Sequence, residues 1–157
     1  MPTAATTGSA PTPTAETAAL QLVEHGAYSA SGVGAKTLLA AEYAHLVFEL
    51  IVTAVAGVPG DTLAVFVQQS WDGVNYDDVA AFALLSGAAP PQVRQASFPA
   101  RRPDAAPELH TQTDAALPAA SLRDVPLARQ FRAKWSVAGG GGSVWTFQVV
   151  AVPRASR

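Results

Sequence analysis

The chain has 157 residues, of which 49% are hydrophobic and 14% charged, so it can form one domain with a sizeable core. It has no cysteine, which excludes disulfides and thiolate metal sites, and its 12 glycines and 12 prolines favour short strands over long helices. The net charge of −2 divides into −7 over residues 1–90 and +5 over residues 91–157. Two interpretations follow: complementary faces within one domain, or subunits that meet acidic face to basic face.

Residues 1–17 are of low complexity, rich in Ala, Thr and Pro, and cannot form a core of their own. They predict an extended arm, mobile in a free monomer, that becomes ordered against neighbouring chains. The arm lacks the basic start and apolar centre of a secretory signal. The longest apolar run, residues 43–58, is shorter than the roughly 20 residues of a membrane span. The chain is therefore expected to be soluble and to have no membrane partner.

The first predicted strand covers residues 19–23 and is followed by a Gly/Ser-rich turn over residues 26–34. Residues 36–44 have a weak helical pattern, but a short turn or an extended approach to the next strand fits equally well. That next strand places one set of apolar residues on a single face: Leu46, Phe48, Leu50, Val52 and Ala54. Its other face is also apolar, which is typical of a strand in the centre of a sandwich.

The stretch around Asp72 predicts a hairpin. Leu63, Val65 and Val67 alternate with other residues at the period of a half-buried strand. Asp72 and Gly73 then supply a pair that tolerates positive φ at a tight reversal. A second apolar run follows the turn, so the chain is expected to return alongside the first strand.

Residues 86–128 contain repeated prolines, which remove ladder donors and argue against long central strands. The segment is therefore predicted to be an irregular excursion within the domain. Its length suits an interaction loop, and it equally suits a cover over one sheet edge.

The last strand pair has the clearest pattern. Phe131, Ala133 and Trp135 point to one side, whereas Arg132 and Lys134 point to the other. Residues 139–142 are four glycines, and the returning strand carries a second apolar face: Trp145, Phe147, Val149 and Ala151. The pattern predicts a glycine-closed hairpin with one core face and one wet, basic face.

No pattern in the chain predicts catalysis, a cofactor or a metal. His25, His45 and His110 are isolated, without the spacing of a zinc or iron site. Asp72, Asn75, Asp77 and Asp78 offer hard oxygen ligands around one turn, but their spacing does not match a calcium loop. We favour a turn in which Asp72 and Asn75 bond their own backbone. The four glycines lack the lysine and helix of a P-loop, and there is no nucleophile elbow. The chain is expected not to be an enzyme.

Specific nucleic-acid binding is also disfavoured. Arg129, Arg132, Lys134 and Trp135 come nearest to a basic surface with a stacking aromatic. Strand alternation sends Trp135 to the face opposite Arg132 and Lys134. The strand is better interpreted as solvated or as facing another subunit.

Three strings together resemble small virion structural proteins of tailed bacteriophages. They are ELIVTAVAG at residues 49–57, LAVFVQQSWDG at residues 63–73, and RAKWSVAG with WTFQV at residues 132–139 and 145–149. The resemblance covers roughly residues 42–85 and 129–152, and its motifs belong to β-hairpins. It implies an all-β fold, an antiparallel β-sandwich with the jelly roll as one form, over residues 18–157, preceded by the arm.

The resemblance also implies a role in the virion, after synthesis in the host cytoplasm. The expected function is capsid decoration or another head-surface role, with a neck or tail connector or a minor tail protein as the alternative. The expected partners are major capsid, neck or tail proteins and further copies of the chain in a homo-oligomer. A rival from another class is a carbohydrate-binding adhesion module. The candidate interface residues are Pro2, Thr3, Pro11, Pro13, Trp71, Tyr76, Arg101, Arg102, Arg132 and Lys134. Of these, Trp71 and Tyr76 would form the sugar platform of the rival function.

Overall fold

A computed structural model of the chain describes residues 19–38, 45–99 and 116–154. The predicted arm lies outside the described residues, and so do Arg101 and Arg102. The described residues form strands and loops and contain no helix. No membrane-spanning helix is therefore found in the described ranges.

Eleven strands account for the described secondary structure. In chain order they are β1 (Leu20–Tyr28), β2 (Gly32–Val33), β3 (Thr37–Leu38), β4 (His45–Ala56), β5 (Thr62–Ser70), β6 (Asp77–Ala81), β7 (Leu85–Ser86), β8 (Gln92–Pro99), β9 (Ser121–Leu122), β10 (Gln130–Ala138) and β11 (Val144–Arg154). Sheet A has the order β1-β11-β4-β8, and sheet B the order β2-β10-β5-β6-β9, with β3 beside β10 and β7 beside β5. All pairs are antiparallel, which confirms the predicted sandwich.

The strand pairs are nested. β1 pairs with β11, β2 and β3 with β10, β4 with β8, and β5 with β6. The first half of the chain therefore lies antiparallel to the second half, as one long ribbon. Along the chain, successive principal strands alternate between sheet A and sheet B, except that β5 and β6 are neighbours in sheet B. This nested order of eight principal positions in two sheets is the order of a jelly roll.

The core lies between the sheets, where the predicted inward residues are buried. Sheet A contributes Leu46, Phe48, Leu50, Trp145, Phe147 and Val149, and sheet B contributes Leu63, Val65, Val67, Phe131, Ala133 and Trp135. Aromatic rings join the sheets: the centroids of Phe48 and Phe131 are 5.2 Å apart, and those of Trp135 and Phe147 are 5.8 Å apart. Such tilted and edge-on pairs add to the stabilisation from buried area.

A bulge in β4 changes one predicted position. Val52 lies opposite Phe147 and Ala54 opposite Thr146, so Thr53 is the additional residue. The Thr53 hydroxyl donates to the Thr146 carbonyl at 3.2 Å. Because an additional residue reverses the alternation, Ala54 is exposed and Val55 turns partly inward. The prediction that Ala54 continues the buried face is wrong.

The first strand is also longer than its sequence pattern indicates. It continues to Tyr28, which lies opposite Trp145, so part of the predicted turn over residues 26–34 is strand. The Tyr28 ring lies 4.9 Å from that of Trp135 and 4.7 Å from that of Phe147. Trp135 and Phe147 are distant from Tyr28 in sequence, and their contacts with its ring keep the residues after Gly26 in the strand. The register of β1 against β11 is irregular between Gln21 and Val23 and again between Val23 and Gly26.

The Pro-rich segment contains strands that the sequence did not predict. Residues 92–99 form β8, which pairs with β4 without interruption of the register, and residues 121–122 form β9 beside β6. Both are edge strands in their sheets. An edge strand needs ladder bonds on one side only, so the neighbouring prolines do not prevent pairing. The prediction that all of residues 86–128 are irregular is wrong.

Both glycine-rich connections join the two sheets. Residues 57–61, the first arch, lead from β4 in sheet A to β5 in sheet B, and residues 139–143, the second arch, lead from β10 in sheet B to β11 in sheet A. The predicted glycine-closed hairpin of β10 and β11 is therefore wrong. The two strands were predicted correctly, but each pairs with other partners. The two arches lie together at one end of the sandwich, the arch end, since Val144 pairs with Ala56 and Ala138 with Thr62.

Candidate functional site

The turn between β5 and β6 lies at the end of the sandwich opposite the arch end, which we call the tip end. One carboxylate holds this turn. Asp72 Oδ1 accepts hydrogen bonds from the amides of Val74 and Asn75, both at 2.8 Å, and from the Ser70 hydroxyl at 3.0 Å. Asp72 Oδ2 accepts one from Asn75 Nδ2 at 2.7 Å. The two backbone amides and the Asn75 amide lower the pKa of Asp72 well below its usual range. With Gly73 at φ +76°, these bonds confirm the predicted turn for Asp72, whereas the Asn75 side chain bonds the Asp72 carboxylate and not the backbone.

A surface groove of about 450 Å³ lies beside this turn. It is lined by Ser70, Trp71, Asp72, Gly73, Leu127, Arg129 and Gln130, and we call it the Trp71 groove. It forms because Gln130 at the start of β10 pairs with Ser70 at the end of β5. Trp71 is 59% exposed and Val74, on the same turn, is 77% exposed. Two large apolar side chains are therefore exposed on this one turn.

Exposed bases surround the turn. Lys36 donates from Nζ to the Gly73 carbonyl at 3.0 Å, and Arg129 lines the groove. Arg154, the last residue of β11, is exposed at the same end. The exposed, ionised carboxylate of Asp72 lies among them and accepts four hydrogen bonds from within the turn. The described part of this surface therefore combines exposed apolar side chains with three bases and the single carboxylate of the turn.

Tyr76 does not belong to the exposed surface, although it was a candidate interface residue. It is 4% exposed, and the guanidinium of Arg132 lies 3.6 Å from its ring centroid. Lys36 Nζ lies 5.6 Å from the same centroid. A cation stacked on a ring face is a favourable contact that also covers the ring. The predicted platform of Trp71 and Tyr76 together is wrong, because β10 brings Arg132 over Tyr76.

Arg132 and Lys134 are partly buried in a polar cluster on the outer face of sheet B. Arg132 Nε donates to Gln68 Oε1 at 2.8 Å, and Gln68 Nε2 donates to Asp78 Oδ1 at 2.7 Å. Lys134 Nζ lies 3.5 Å from Asp78 Oδ1. Gln68 and Asp78 are fully buried. The prediction of a wet basic face is wrong, because Arg132 bonds to the buried amide of Gln68 and Lys134 pairs with the buried carboxylate of Asp78. Trp135 does point to the other side, as predicted.

Residues 116–128 run along the β6 edge of sheet B and bond to side chains on both of its faces. The Leu117 amide donates to Asp78 Oδ2 at 3.2 Å, and the Arg123 amide donates to the Val79 carbonyl at 2.9 Å. Gln69 is bonded twice, since its Nε2 donates to the Pro126 carbonyl at 3.1 Å and its Oε1 accepts from the Ala128 amide at 2.9 Å. For this part of the Pro-rich segment, the contacts support the cover interpretation.

The ion pairs also bear on the uneven charge distribution. Asp77 and Asp78 come from the acidic first part of the chain, and each meets a base from the second part. Arg123 lies 3.7 Å from Asp77, and Lys134 lies 3.5 Å from Asp78. These contacts support complementary faces within one domain.

The histidines of the described residues serve as cross-strand partners. His25 Nε2 is 3.0 Å from Thr53 Oγ1, and His45 is hydrogen-bonded to Ser97. His110 lies outside the described residues. Within the ranges that the structure describes, no group of three or more His, Asp or Glu residues is arranged to hold a metal ion.

The candidate interface residues therefore fall into three sets. Trp71 is exposed at the tip end, whereas Tyr76, Arg132 and Lys134 lie together in the covered cluster. The remaining six lie outside the described residues: Pro2, Thr3, Pro11, Pro13, Arg101 and Arg102. Sequence reasoning missed Leu127 and Gln130 as neighbours of Trp71. Only the pairing of β5 with β10 brings them together, and no local pattern signals it.

Comparison of the chain with protein-family models, curated proteins and solved structures found no match. The fold and the geometry of the tip end are therefore the basis of a functional proposal, together with the resemblance of the three sequence strings.

Proposed function

We propose that this chain is a non-enzymatic structural component of a tailed-phage virion, and that it decorates the capsid or another part of the head surface. Its partners are other virion proteins and further copies of itself. The observation that carries the proposal is the position of the three resembling strings. They fall on β4, β5, β10 and β11 and on their connections, which together form the centre of the jelly roll. Because a fold hosts many functions, the proposal depends on these strings as well as on the architecture.

The use of the acidic side chains supports a structural role. Asp61 and Ser143 connect the two arches, Asp72 holds the turn, and Asp78 anchors residues 116–128. These groups stabilise connections between elements. By contrast, Trp71 and Val74 leave most of their surface exposed, as is expected of residues that contact another molecule.

The proposal is tested on purified particles of the phage that encodes the chain. We expect mass spectrometry to detect the chain at a fixed copy number per particle, and cryo-electron microscopy to locate it on the outer head surface. Density confined to a ring at the neck, or to the tail, would favour the connector or minor tail alternative. Absence of the chain from washed particles would contradict every virion role.

Saccharide binding is a second candidate, favoured by one observation. Trp71 presents an exposed indole beside the side chains of Arg129 and Gln130 in a groove whose volume suits a small ligand. An indole face packs on a sugar ring, and the polar side chains can bond its hydroxyls. Retention of the chain on a glycan array, lost in Trp71→Ala, is the expected result for this function. Equal retention of the wild-type chain and the Trp71→Ala variant, or retention of neither, would contradict saccharide binding at Trp71.

A further inference from the structure

We propose that the tip end is the surface by which this protein docks on a neighbouring virion subunit, and that the contacted surface of that subunit is an apolar pocket with an acidic rim. This inference depends on the proposed virion role and specifies the surface and the partner. The second arch and the rest of the arch end then face away from the partner.

The first argument is the course of the chain. Every segment outside the described residues joins the sandwich in its tip half. β1 begins at Leu20 opposite Ala151, β3 ends at Leu38 opposite Gln130, and β4 begins at His45 opposite both Pro99 and Arg154. The described residues next to these segments therefore all lie in the tip half, whereas the connections at the arch end, residues 29–31, 57–61, 87–91 and 139–143, are described throughout.

The second argument is the distribution of exposed apolar side chains. Trp71 and Val74 lie three residues apart on the tip turn, and Trp71 lines the groove with half-buried Leu127. The other exposed large apolar residues of the described ranges are dispersed over separate strands and loops: Val33, Val58, Leu84, Val93 and Leu122. Dispersed apolar residues are ordinary on a protein surface, whereas a central Trp with apolar neighbours is typical of a binding hot spot.

The third argument is charge. Lys36, Arg129 and Arg154 are exposed at the tip end and outnumber the ionised carboxylate of Asp72, which hydrogen bonds hold within the turn. The structural bases Arg132 and Lys134 are engaged on the side of sheet B, as described above. A basic rim around an apolar centre is complementary to an acidic rim around an apolar pocket, and such complementarity fixes orientation.

The chain offers a matched pair of valines for the test. Val74 at the tip end is 77% exposed and Val58 in the first arch is 53% exposed, so Val74→Asp and Val58→Asp introduce the same charge at opposite ends. Trp71→Ala and Arg129→Glu probe the centre and the rim. Each purified variant is mixed with phage particles assembled without this chain, and retention is measured by co-sedimentation at several salt concentrations. Circular dichroism and thermal melting verify that each variant is folded.

We expect Trp71→Ala and Val74→Asp to weaken retention about 30-fold or more, as for hot-spot residues, and Val58→Asp to change it less than about threefold. Arg129→Glu weakens retention most at low salt, where unscreened charges contribute most. If the wild-type chain is retained and the tip variants are retained equally well, the docking inference fails and the virion role stands. If the wild-type chain is not retained at all, the virion role fails, and the inference fails with it.

Two further results would overturn the proposed partner. Loss of self-association in Trp71→Ala on analytical ultracentrifugation, with unchanged particle retention, would assign the tip end to contacts between copies of this chain. Loss of binding to a glycan array in Trp71→Ala, with unchanged particle retention, would assign it to a saccharide.

Discussion

At the scale of single residues, Asp61 links the two arches. It is 2% exposed, its Oδ1 accepts from the Gly140 amide at 2.8 Å, and its Oδ2 accepts from the Ser143 hydroxyl at 2.7 Å. The Ser143 hydroxyl oxygen also accepts from the Val58 amide at 3.1 Å. One buried carboxylate thus satisfies donors from a segment that is about 80 residues away in sequence, as the separations of 79 and 82 residues show.

We predict that Asp61→Ala lowers the free energy of unfolding by about 1–3 kcal/mol, because the buried Ser143 hydroxyl and the partly buried Gly140 amide lose their acceptor. Urea denaturation at neutral pH measures the loss. Glu24→Ala is the matched control, since it removes an exposed carboxylate and should change stability by less than about 0.5 kcal/mol. Equal effects of the two substitutions would show that the connection between the arches contributes nothing to stability.

The lowered pKa of Asp72 predicts that the stability of the fold decreases at acidic pH. Its pKa is lowered in the folded protein, chiefly by the amides of Val74 and Asn75, so folding favours the ionised form. The resulting stabilisation is present above the unfolded pKa of about 3.9 and is lost progressively as the pH falls below it toward the folded pKa. Because the side chain is exposed, solvent screening keeps the effect modest.

We therefore expect Asp72→Asn, which keeps an oxygen acceptor but no charge, to be less stable than the wild type at pH 7. The difference in urea midpoint between the two proteins should narrow as the pH is lowered from 5 to 2. A difference that stays constant over this range would show that ionised Asp72 is not favoured by the turn.

At the scale of elements, the arches give the sandwich its topology and restrict which glycines can change. Gly139 has φ +134°, and a Cβ there would lie 2.0 Å from Asp61 Oδ1. A Cβ at the next residue, Gly140, would meet nothing within 4 Å. The two neighbouring glycines of the same arch are therefore predicted to differ strongly in their tolerance of alanine.

We predict that Gly139→Ala costs about 2–4 kcal/mol, from the disfavoured φ and from displacement of the Asp61 carboxylate. Gly140→Ala should remain within about 0.5 kcal/mol of the wild type. The midpoints of thermal unfolding of the two variants provide the comparison. A reversed order, with Gly140→Ala the less stable, would contradict the described geometry of the second arch.

The elements also show what the sequence could predict. Alternation in β5, β10 and β11 correctly predicted the strands and their buried faces, since each face depends on local periodicity. The partners of β10 and β11 were predicted wrongly, because a glycine-rich connection permits both a hairpin and an arch. What decides between them is the pairing of β4 with β11 and of β5 with β10, which is non-local.

The tip end was predictable to a similar degree. The turn at Asp72 and Gly73 follows from residue chemistry, and so do the hydrogen bonds of Asp72 to its own turn. The separation of Trp71 from Tyr76 does not follow, since it requires Arg132 to stack on Tyr76 from another strand. The face of Arg132 and Lys134 was misjudged for the same reason, because residues 116–128 and the buried Asp78 are brought there by tertiary structure.

At the scale of the whole molecule, the nested pairing leaves no part of the sandwich that can fold alone. Sheet A joins β1 and β4 to β8 and β11, and sheet B joins β2 and β5 to β10, so each sheet needs strands from both halves of the chain. The core is shared by both sheets. Trp135 in sheet B and Trp145 in sheet A are both buried in this core and therefore report on both sheets.

We accordingly predict a single cooperative unfolding transition, in which tryptophan fluorescence and far-ultraviolet circular dichroism change at the same urea concentration. Refolding should take milliseconds to seconds, because the pairings close long loops before native contacts compensate for the lost entropy. Trp71→Phe serves as the control, since it removes the exposed indole and leaves the fluorescence change to the buried tryptophans. Two separated transitions, one seen by each probe, would mean that a sheet or a ribbon folds independently, which the nested topology does not permit.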